Sequence, residues 1–327
     1  MPDKIRWGII GTGSITKKFA RGVLALHDAE LLAVGSRAQE TADDFGEQFG
    51  IPRRYPTYEA LAADPDVDAV YIGTPHPFHM ENTLLCLGAG KAVLTEKPFA
   101  INAQQAQQMI DFARQHKVFL MEAMWARYLP IFVRVRELLA QGVIGDVRQL
   151  MADFGFRTRV NPQGRLFNPN LGGGGLLDVG IYPLSLASMI FGTPERVTGM
   201  AHLGETGVDE DAAFILGYAD GALALLSCAV RTNTPMTAIL NGTEGRITIH
   251  SPWWVATKMT VEVYGKETSE ISMPLIANGY EYEAAEVGRC LRAGLTESEV
   301  MPLDETLAIM KTMDEIRAQW RLKYPME

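Results

Sequence analysis

The sequence predicts an α/β protein of two domains. The first is a doubly wound parallel sheet; the second is an α/β domain with a large, mostly antiparallel open sheet. Three observations carry this. Apolar runs alternate with helical stretches through roughly the first 120 residues, the pattern of βαβ units buried on both faces. A glycine turn, Gly8-x-x-Gly11-x-Gly13, joins the first apolar run to the first helix. After Pro130 the pattern becomes period-two runs separated by turn residues.

Ile5 to Ile10 is the first strand, and Ser14 to Leu26 the helix after the glycine turn. Leu31 to Gly35 is the second strand. Thr41 to Phe49 is helical, with Thr41 as N-cap and Gly50 as stop. Thr57 to Leu61 makes a short helix, Val67 to Ile72 a third strand, His79 to Gly88 a helix and Ala92 to Leu94 a strand. Asn102 caps a helix to His116, and Val118 to Met121 closes this half. A helix from Ile131 to Gln141 ends at Gly142. Period-two runs follow at 147–156, 197–202, 212–218, 222–230, 236–241, 246–250 and 259–264. Asp220-Gly221 and Asn241-Gly242 are hairpin signals. Helices at 282–293 and 304–320 finish the chain. The expected domains are 1–123, binding a dinucleotide, and 124–327, binding substrate and a second subunit.

The chain has 327 residues, 47% hydrophobic and 21% charged, which suits two globular domains. A net charge of −9 without a basic run argues against a nucleic-acid partner. Met1-Pro2-Asp3-Lys4 leads straight into the first strand, so no secretory leader is expected, and no apolar run long enough to span a membrane is read. Cys86, Cys228 and Cys290 fit neither a disulfide frame nor a metal spacing. Buried reduced thiols in the cytoplasm, and no metal, are expected.

Strand, glycine turn and helix in that order form a dinucleotide fingerprint, the signature of a Rossmann domain. Gly11 permits the tight turn and Gly13 lets a pyrophosphate approach the helix N-terminus. Gly11, Thr12, Gly13, Ser14 and Ile15 are the residues expected there. Thr16 stands where a third small residue is usual, which puts the tightness of packing in question. The second strand ends in Ser36-Arg37, without the carboxylate that accepts from a ribose 2′-hydroxyl. A hydroxyl and a guanidinium suit a 2′-phosphate, so NADP is expected over NAD, with NAD as the alternative. Thr74 and Pro75 follow another strand and should line the crevice. His79 either joins them or simply starts a helix; His76 is read as surface.

Glu96-Lys97-Pro98 ends a further parallel strand on the same edge. An ammonium there can steady a developing alkoxide and lower the pKa of a neighbour. Downstream, Gly172 to Gly175 precede Asp178 and Tyr182, which are four apart and so share a helix face if Pro183 leaves the helix intact. The glycines are read as letting backbone pass close to a bound ligand. A tyrosine needs help to act as a base at neutral pH, which Lys97 would give. The alternative is that Tyr182 is a core phenol and Asp178 a cap.

With Thr74-Pro75, Glu96-Lys97-Pro98 and Gly173 to Tyr182 in hand, the chain resembles the Gfo/Idh/MocA family of nicotinamide-dependent sugar and polyol dehydrogenases. Tyr182 itself, Met121 to Trp125, Glu205 to Asp209 and Ser251 to Trp254 are similar to its dimeric dihydrodiol dehydrogenase and D-xylose 1-dehydrogenase branch. The resemblance implies a catalytic group of Lys97, Asp178 and Tyr182, a cofactor set that includes Glu96 and Lys97, a cis Lys97–Pro98 bond, and Trp125 in the substrate pocket. Phe154, Phe156, Arg157 and Arg165 are further candidates for that pocket. The expected activity is hydride transfer between NADP and a cyclic sugar or vicinal diol. Rivals are the reverse, carbonyl-reducing reaction and a non-catalytic NADP sensor. Leu223, Leu225, Ile239 and Ile247 lie either on a dimer face or in the core, and a homodimer is expected.

Overall fold

The computed structural model describes residues 4–327, so the reading of Met1–Asp3 falls outside the described residues. These divide into two compact units: the residues up to Tyr128 with Ile276–Leu307, and Leu129–Leu275 with Ala308–Glu327. The expected division at 123/124 was drawn along the chain; the packing units are not contiguous.

In the first unit, apolar runs too short for helices become strands: β1 (Ile5–Ile10), α1 (Ser14–Val23), β2 (Ala29–Gly35), α2 (Gln39–Phe49), β3 (Arg53–Tyr55), α3 (Tyr58–Ala62), β4 (Ala69–Ile72), α4 (His79–Gly88), β5 (Ala92–Glu96), α5 (Ala103–His116) and β6 (Leu120–Ala123). The sheet order is β3-β2-β1-β4-β5-β6, with every pair parallel. Chain direction across the sheet reverses between β1 and β4, the switch point where such sheets open a crevice. The core is anchored by Trp7, Phe19 and Tyr71, with Phe19 stacked on Tyr71 at 3.8 Å.

The second unit opens with α6 (Pro130–Ala140). It continues with β7 (Val147–Gly155), α7 (Ile181–Phe191), β8 (Arg196–Leu203), β9 (Asp209–Gly217), β10 (Leu223–Ala229), β11 (Ala238–Gly242), β12 (Gly245–Ile249), β13 (Lys258–Val263) and β14 (Ser269–Ser272). Its eight-stranded sheet runs β14-β13-β12-β11-β7-β10-β9-β8, antiparallel except where β10 pairs β7. One face buries Leu150, Phe214, Leu226 and Leu240. The other exposes Met151, Met200, Ile215 and Leu223. Of the four residues left between face and core, Ile247 is buried, Leu223 faces outward, and Leu225 and Ile239 are half-buried.

α8 (Tyr280–Arg292) rejoins the first unit against α1, where a Cβ on Gly22 would lie 2.7 Å from the Glu281 nitrogen. Only glycine lets the two helices approach so closely. α9 (Leu303–Trp320) is the last helix.

Several readings are corrected. Ala38, not Thr41, caps α2; the Thr41 hydroxyl donates back to the Ala38 carbonyl. Asn241 and Gly242 belong to β11 itself, and Thr243-Glu244 make the turn. His76 is buried, not surface. One helical run, Pro169–Phe191, is long and apolar enough to cross a membrane by length and composition, with mean hydropathy 1.4, although none was read. Buried over 78% of that window, it has the character of a core helix.

Candidate active site

In the first unit, Gly11 has φ +96°, and a Cβ on it would press to 3.0 Å of the Gly73 carbonyl oxygen across the switch point. Gly13 caps α1 with open space where a side chain would stand. α1 has no acidic residue in its first turn and no side-chain cap, and Gly13 and Ser14 at its start are exposed. An anion is favoured at such an end. Thr12 and Ile15 are half-buried beside it. Thr16 is buried and donates to the Gly13 carbonyl at 2.8 Å. The third glycine missing from the fingerprint is supplied elsewhere: a Cβ on Gly73 would stand 2.2 Å from the Thr16 methyl. Close packing is kept by a glycine on the neighbouring strand, a signal the sequence carried but spacing did not reveal.

At the end of β2, the Ser36 hydroxyl lies 2.5 Å from that of Thr41. Arg37 is exposed and enters no ion pair among the described residues. These residues fit a 2′-phosphate, which needs a mobile cation and a hydroxyl rather than a carboxylate.

Thr74 accepts from Asn82 at 3.2 Å through its hydroxyl. The buried His79 ring lies between two carbonyls, Thr74 O and Pro98 O, each at 2.8 Å. It ties the loop after β4 to the loop after β5 from beneath, with Pro75 starting the 3₁₀ turn between. Glu96 is buried, bonded to the Tyr71 hydroxyl and to the Lys97 amide. Burial, then the Glu96 charge, push the Tyr71 phenol well up, so it serves as a donor. Lys97 is half-buried and its bond to Pro98 is cis. Trp125 is buried, one face stacked on Tyr280 at 4.6 Å.

In the second unit, a π-helical turn, Leu176–Gly180, runs directly into α7. This wider turn accommodates Pro183 in the third position of α7, as π turns near functional sites often do. It carries Asp178, whose carboxylate accepts from Arg165 at 2.7 Å, and leads into Tyr182. The acid and the phenol are both nearly buried, at 7% exposure each. Tyr182 stands in an aromatic corner: Phe154 at 5.3 Å and Trp254 at 6.4 Å, these two stacked at 3.4 Å. Phe156 extends the corner from Phe154, while Arg157 is exposed. Trp254 was not among the expected site residues. Its signal was the Trp253-Trp254 pair: Trp253 is anchored through its indole to the Asp153 carbonyl at 2.7 Å and sets Trp254 beside Phe154.

The glycine run makes room for the protein itself. A Cβ on Gly173 would meet the Leu166 carbonyl at 2.8 Å, and one on Gly174 the Asp209 carboxylate at 2.2 Å. That close approach is to the chain's own atoms, where a bound ligand had been read.

Comparison with known proteins agrees over the whole length. Residues 5–124 match the oxidoreductase family with an NAD-binding Rossmann fold, and residues 132–248 match the GFO/IDH/MocA C-terminal domain. The chain is 39% identical to trans-1,2-dihydrobenzene-1,2-diol dehydrogenase of Mus musculus over 99% of both chains. It is 40% identical to that of Xenopus tropicalis, over 98% of this chain and 99% of the other. Among solved structures, an aldose-aldose oxidoreductase from Caulobacter crescentus complexed with glycerol superposes with TM-score 0.87 at 26% identity, covering 97% and 98% of the two chains. A 3-ketoreductase from Actinomadura kijaniata in complex with NADP and TDP-benzene gives 0.86 at 25%, covering 96% and 97%. The chain therefore belongs to the Gfo/Idh/MocA oxidoreductase family, in the branch that holds the trans-dihydrodiol dehydrogenases.

Proposed function

We propose that this dehydrogenase oxidises a CH–OH group of a cyclic sugar or a vicinal diol, with residues 1–123 holding NADP and 124–327 holding the substrate. One observation carries the reading. Tyr182 sits in an apolar corner of Phe154 and Trp254, on a helix whose preceding turn bears an Asp178–Arg165 ion pair. A phenol so placed has flat surfaces for a ring substrate on one side and a fixed charge pair near its backbone on the other.

NADP, when bound, supplies the hydride acceptor. Tyr182 takes the hydroxyl proton of the substrate carbon that gives up hydride. Lys97 provides the positive charge that makes this phenol acidic enough to act. Asp178 orients the hydroxyl and is itself held by Arg165. Phe154, Trp125 and Arg165 are the residues proposed to meet the substrate ring, the two aromatics by stacking. Gly11 to Ile15, Ser36, Arg37, Thr74, Pro75 and Glu96 form the NADP site, with His79 bracing it. For an aldopyranose the product is a lactone. The reverse, carbonyl-reducing direction uses the same groups, and the similarity to a 3-ketoreductase favours keeping it as a second reading. A non-catalytic sensor role is disfavoured because Lys97 and Tyr182 are both present.

A homodimer is proposed through the open sheet face, where Ile215, Leu225, Met151 and Ile239 stand in register across four strands. A cytoplasmic location is proposed on the three cysteines, all free and buried. The test is a screen of NADP⁺ reduction over aldoses, inositols and trans-diols, followed at the nicotinamide absorbance. Reduction with at least one ring substrate is expected. No reduction with any of them, and no NADPH oxidation with the matching ketones, would overturn the reading.

A further inference from the structure

The turn that presents Asp178 and Tyr182 is held from outside its own segment, by two groups distant in sequence. Asp209, the first residue of β9, is fully buried, and one carboxylate oxygen accepts the Leu176 amide at 2.6 Å. That amide opens the π turn, where a carboxylate is favoured by the helix dipole. The other oxygen has no hydrogen-bond partner and points at the bare α-carbon of Gly174. Tyr324 reaches the same loop from the end of the chain. Its hydroxyl donates to the Gly173 carbonyl at 2.6 Å, and its ring lies 5.0 Å from the Arg317 guanidinium. Arg317 is in turn paired to Glu327 at 2.9 Å, and Glu327 accepts the Tyr324 amide at 2.8 Å. Behind the turn, a Cβ on Gly180 would stand 3.0 Å from the Cys228 sulfur. The turn thus has an acceptor at its first amide, a donor on the carbonyl before it, and no slack behind.

We propose that Asp209 and Tyr324 are positioning residues for the reaction: through the backbone of Leu176 and Gly173 they fix the turn that aims Asp178 and Tyr182. This rests on the catalytic roles given above. Both residues are buried, Asp209 at 0% and Tyr324 at 3% exposure. A fully buried carboxylate that accepts a backbone amide, with Gly174 and Gly175 leaving room for its two oxygens, is costly for stability alone. Its use is to set a side chain within the narrow tolerance that proton transfer needs.

The experiment uses the full chain with Tyr324→Phe, Asp209→Ala, Asp209→Asn and the Tyr324→Phe/Asp209→Ala double variant. For each, kcat and KM with a substrate from the screen, NADPH affinity by fluorescence, and the thermal melt are recorded. Tyr324→Phe and Asp209→Ala are expected to lower kcat about tenfold or more while NADPH affinity stays at the parental value. Asp209→Asn keeps an acceptor oxygen and should recover kcat to within about threefold of the parent, and the double variant should be no slower than about twofold below Asp209→Ala, since both hold one segment. Parental kcat in Tyr324→Phe, an Asn variant as slow as the Ala variant, or NADPH affinity falling in step with kcat would overturn the proposal. Should Asp209→Ala fail to fold, Tyr324→Phe and Asp209→Asn decide alone. Tyr182→Phe is run alongside. If it keeps full turnover, the catalytic reading fails; if it is slow and Tyr324→Phe is not, only the positioning role does.

Discussion

Replacing Glu122 with glutamine should flatten the pH dependence of stability. Glu122 lies in β6, within the Met121 to Trp125 stretch that leads to the stacking tryptophan. It is 1% exposed, and neither carboxylate oxygen has a hydrogen-bond partner; the Thr306 hydroxyl and the Phe99 amide are its polar neighbours. Burial pushes its pKa from an ordinary 4.5 up to about 7. Below the ordinary value both folded and unfolded chains hold the proton. Between the two values the folded chain keeps a proton that the unfolded chain has released, so each pH unit upward costs the folded state about 1.4 kcal/mol. Above the folded value the loss is complete, at about 3 kcal/mol. Glutamine has no proton to lose and keeps the shape. Asp209, also raised to about 7, behaves the same way in parent and variant and cancels in the comparison. Urea denaturation at about pH 5 and about pH 8 gives the four stabilities needed. The parent should lose about 2.5 kcal/mol more than Glu122→Gln across that interval, the rest of the loss falling below about pH 5. Equal losses would mean that Glu122 is not a buried, unpartnered acid.

Three other outcomes are expected. Arg37→Asp should raise KM for NADP by about tenfold or more with little change for NAD, since only NADP carries the phosphate that the guanidinium would pair; an equal effect on both would remove Arg37 from cofactor selection. Gly73→Ala should weaken NADPH binding, because the new methyl meets Thr16 at 2.2 Å, and adding Thr16→Ala should restore much of it; no recovery in the double variant would refute the compensation. Light scattering should show a dimer in the parent and a monomer when Met151 and Leu225, paired in register on the open face, are both made aspartate; a monomeric parent would refute the dimer.

The parallel sheet was legible because each of its main strands is a short apolar run between helix signals, and burial on both faces leaves little room for another pattern. β3 was missed because Arg53-Arg54-Tyr55 carries no apolar period. Its place at the sheet edge comes from ion pairs of Arg53 with Asp64 and Asp66, both at 2.6 Å, which are tertiary. β14 is a polar edge strand with the same difficulty. The return of α8 to the first unit rests on Gly22 meeting Glu281, a contact no local pattern encodes.

In the candidate site, the residue types could be picked out as candidates, Gly11, Gly13 and Lys97 beside strand ends and Tyr182 on a helix, from what a βα turn or a proton transfer needs. What spacing could not show is who holds them. The partners of the glycine run are Asp209, 33 residues from Leu176, and Tyr324, 151 residues from Gly173. Arg165 was read as a pocket residue, and its bond to Asp178 is a contact that spacing did not reveal. The glycines looked like room for a ligand; Gly173 makes room for a backbone carbonyl and Gly174 for the Asp209 carboxylate.

The central claim is that one ammonium and one phenol run the chemistry together, and turnover of two conservative variants tests it most directly. With the substrate found in the screen, Tyr182→Phe and Lys97→Met should each reduce NADP⁺ at least about a hundredfold more slowly than the parent while still binding NADPH. Near-parental turnover in either variant would contradict the account.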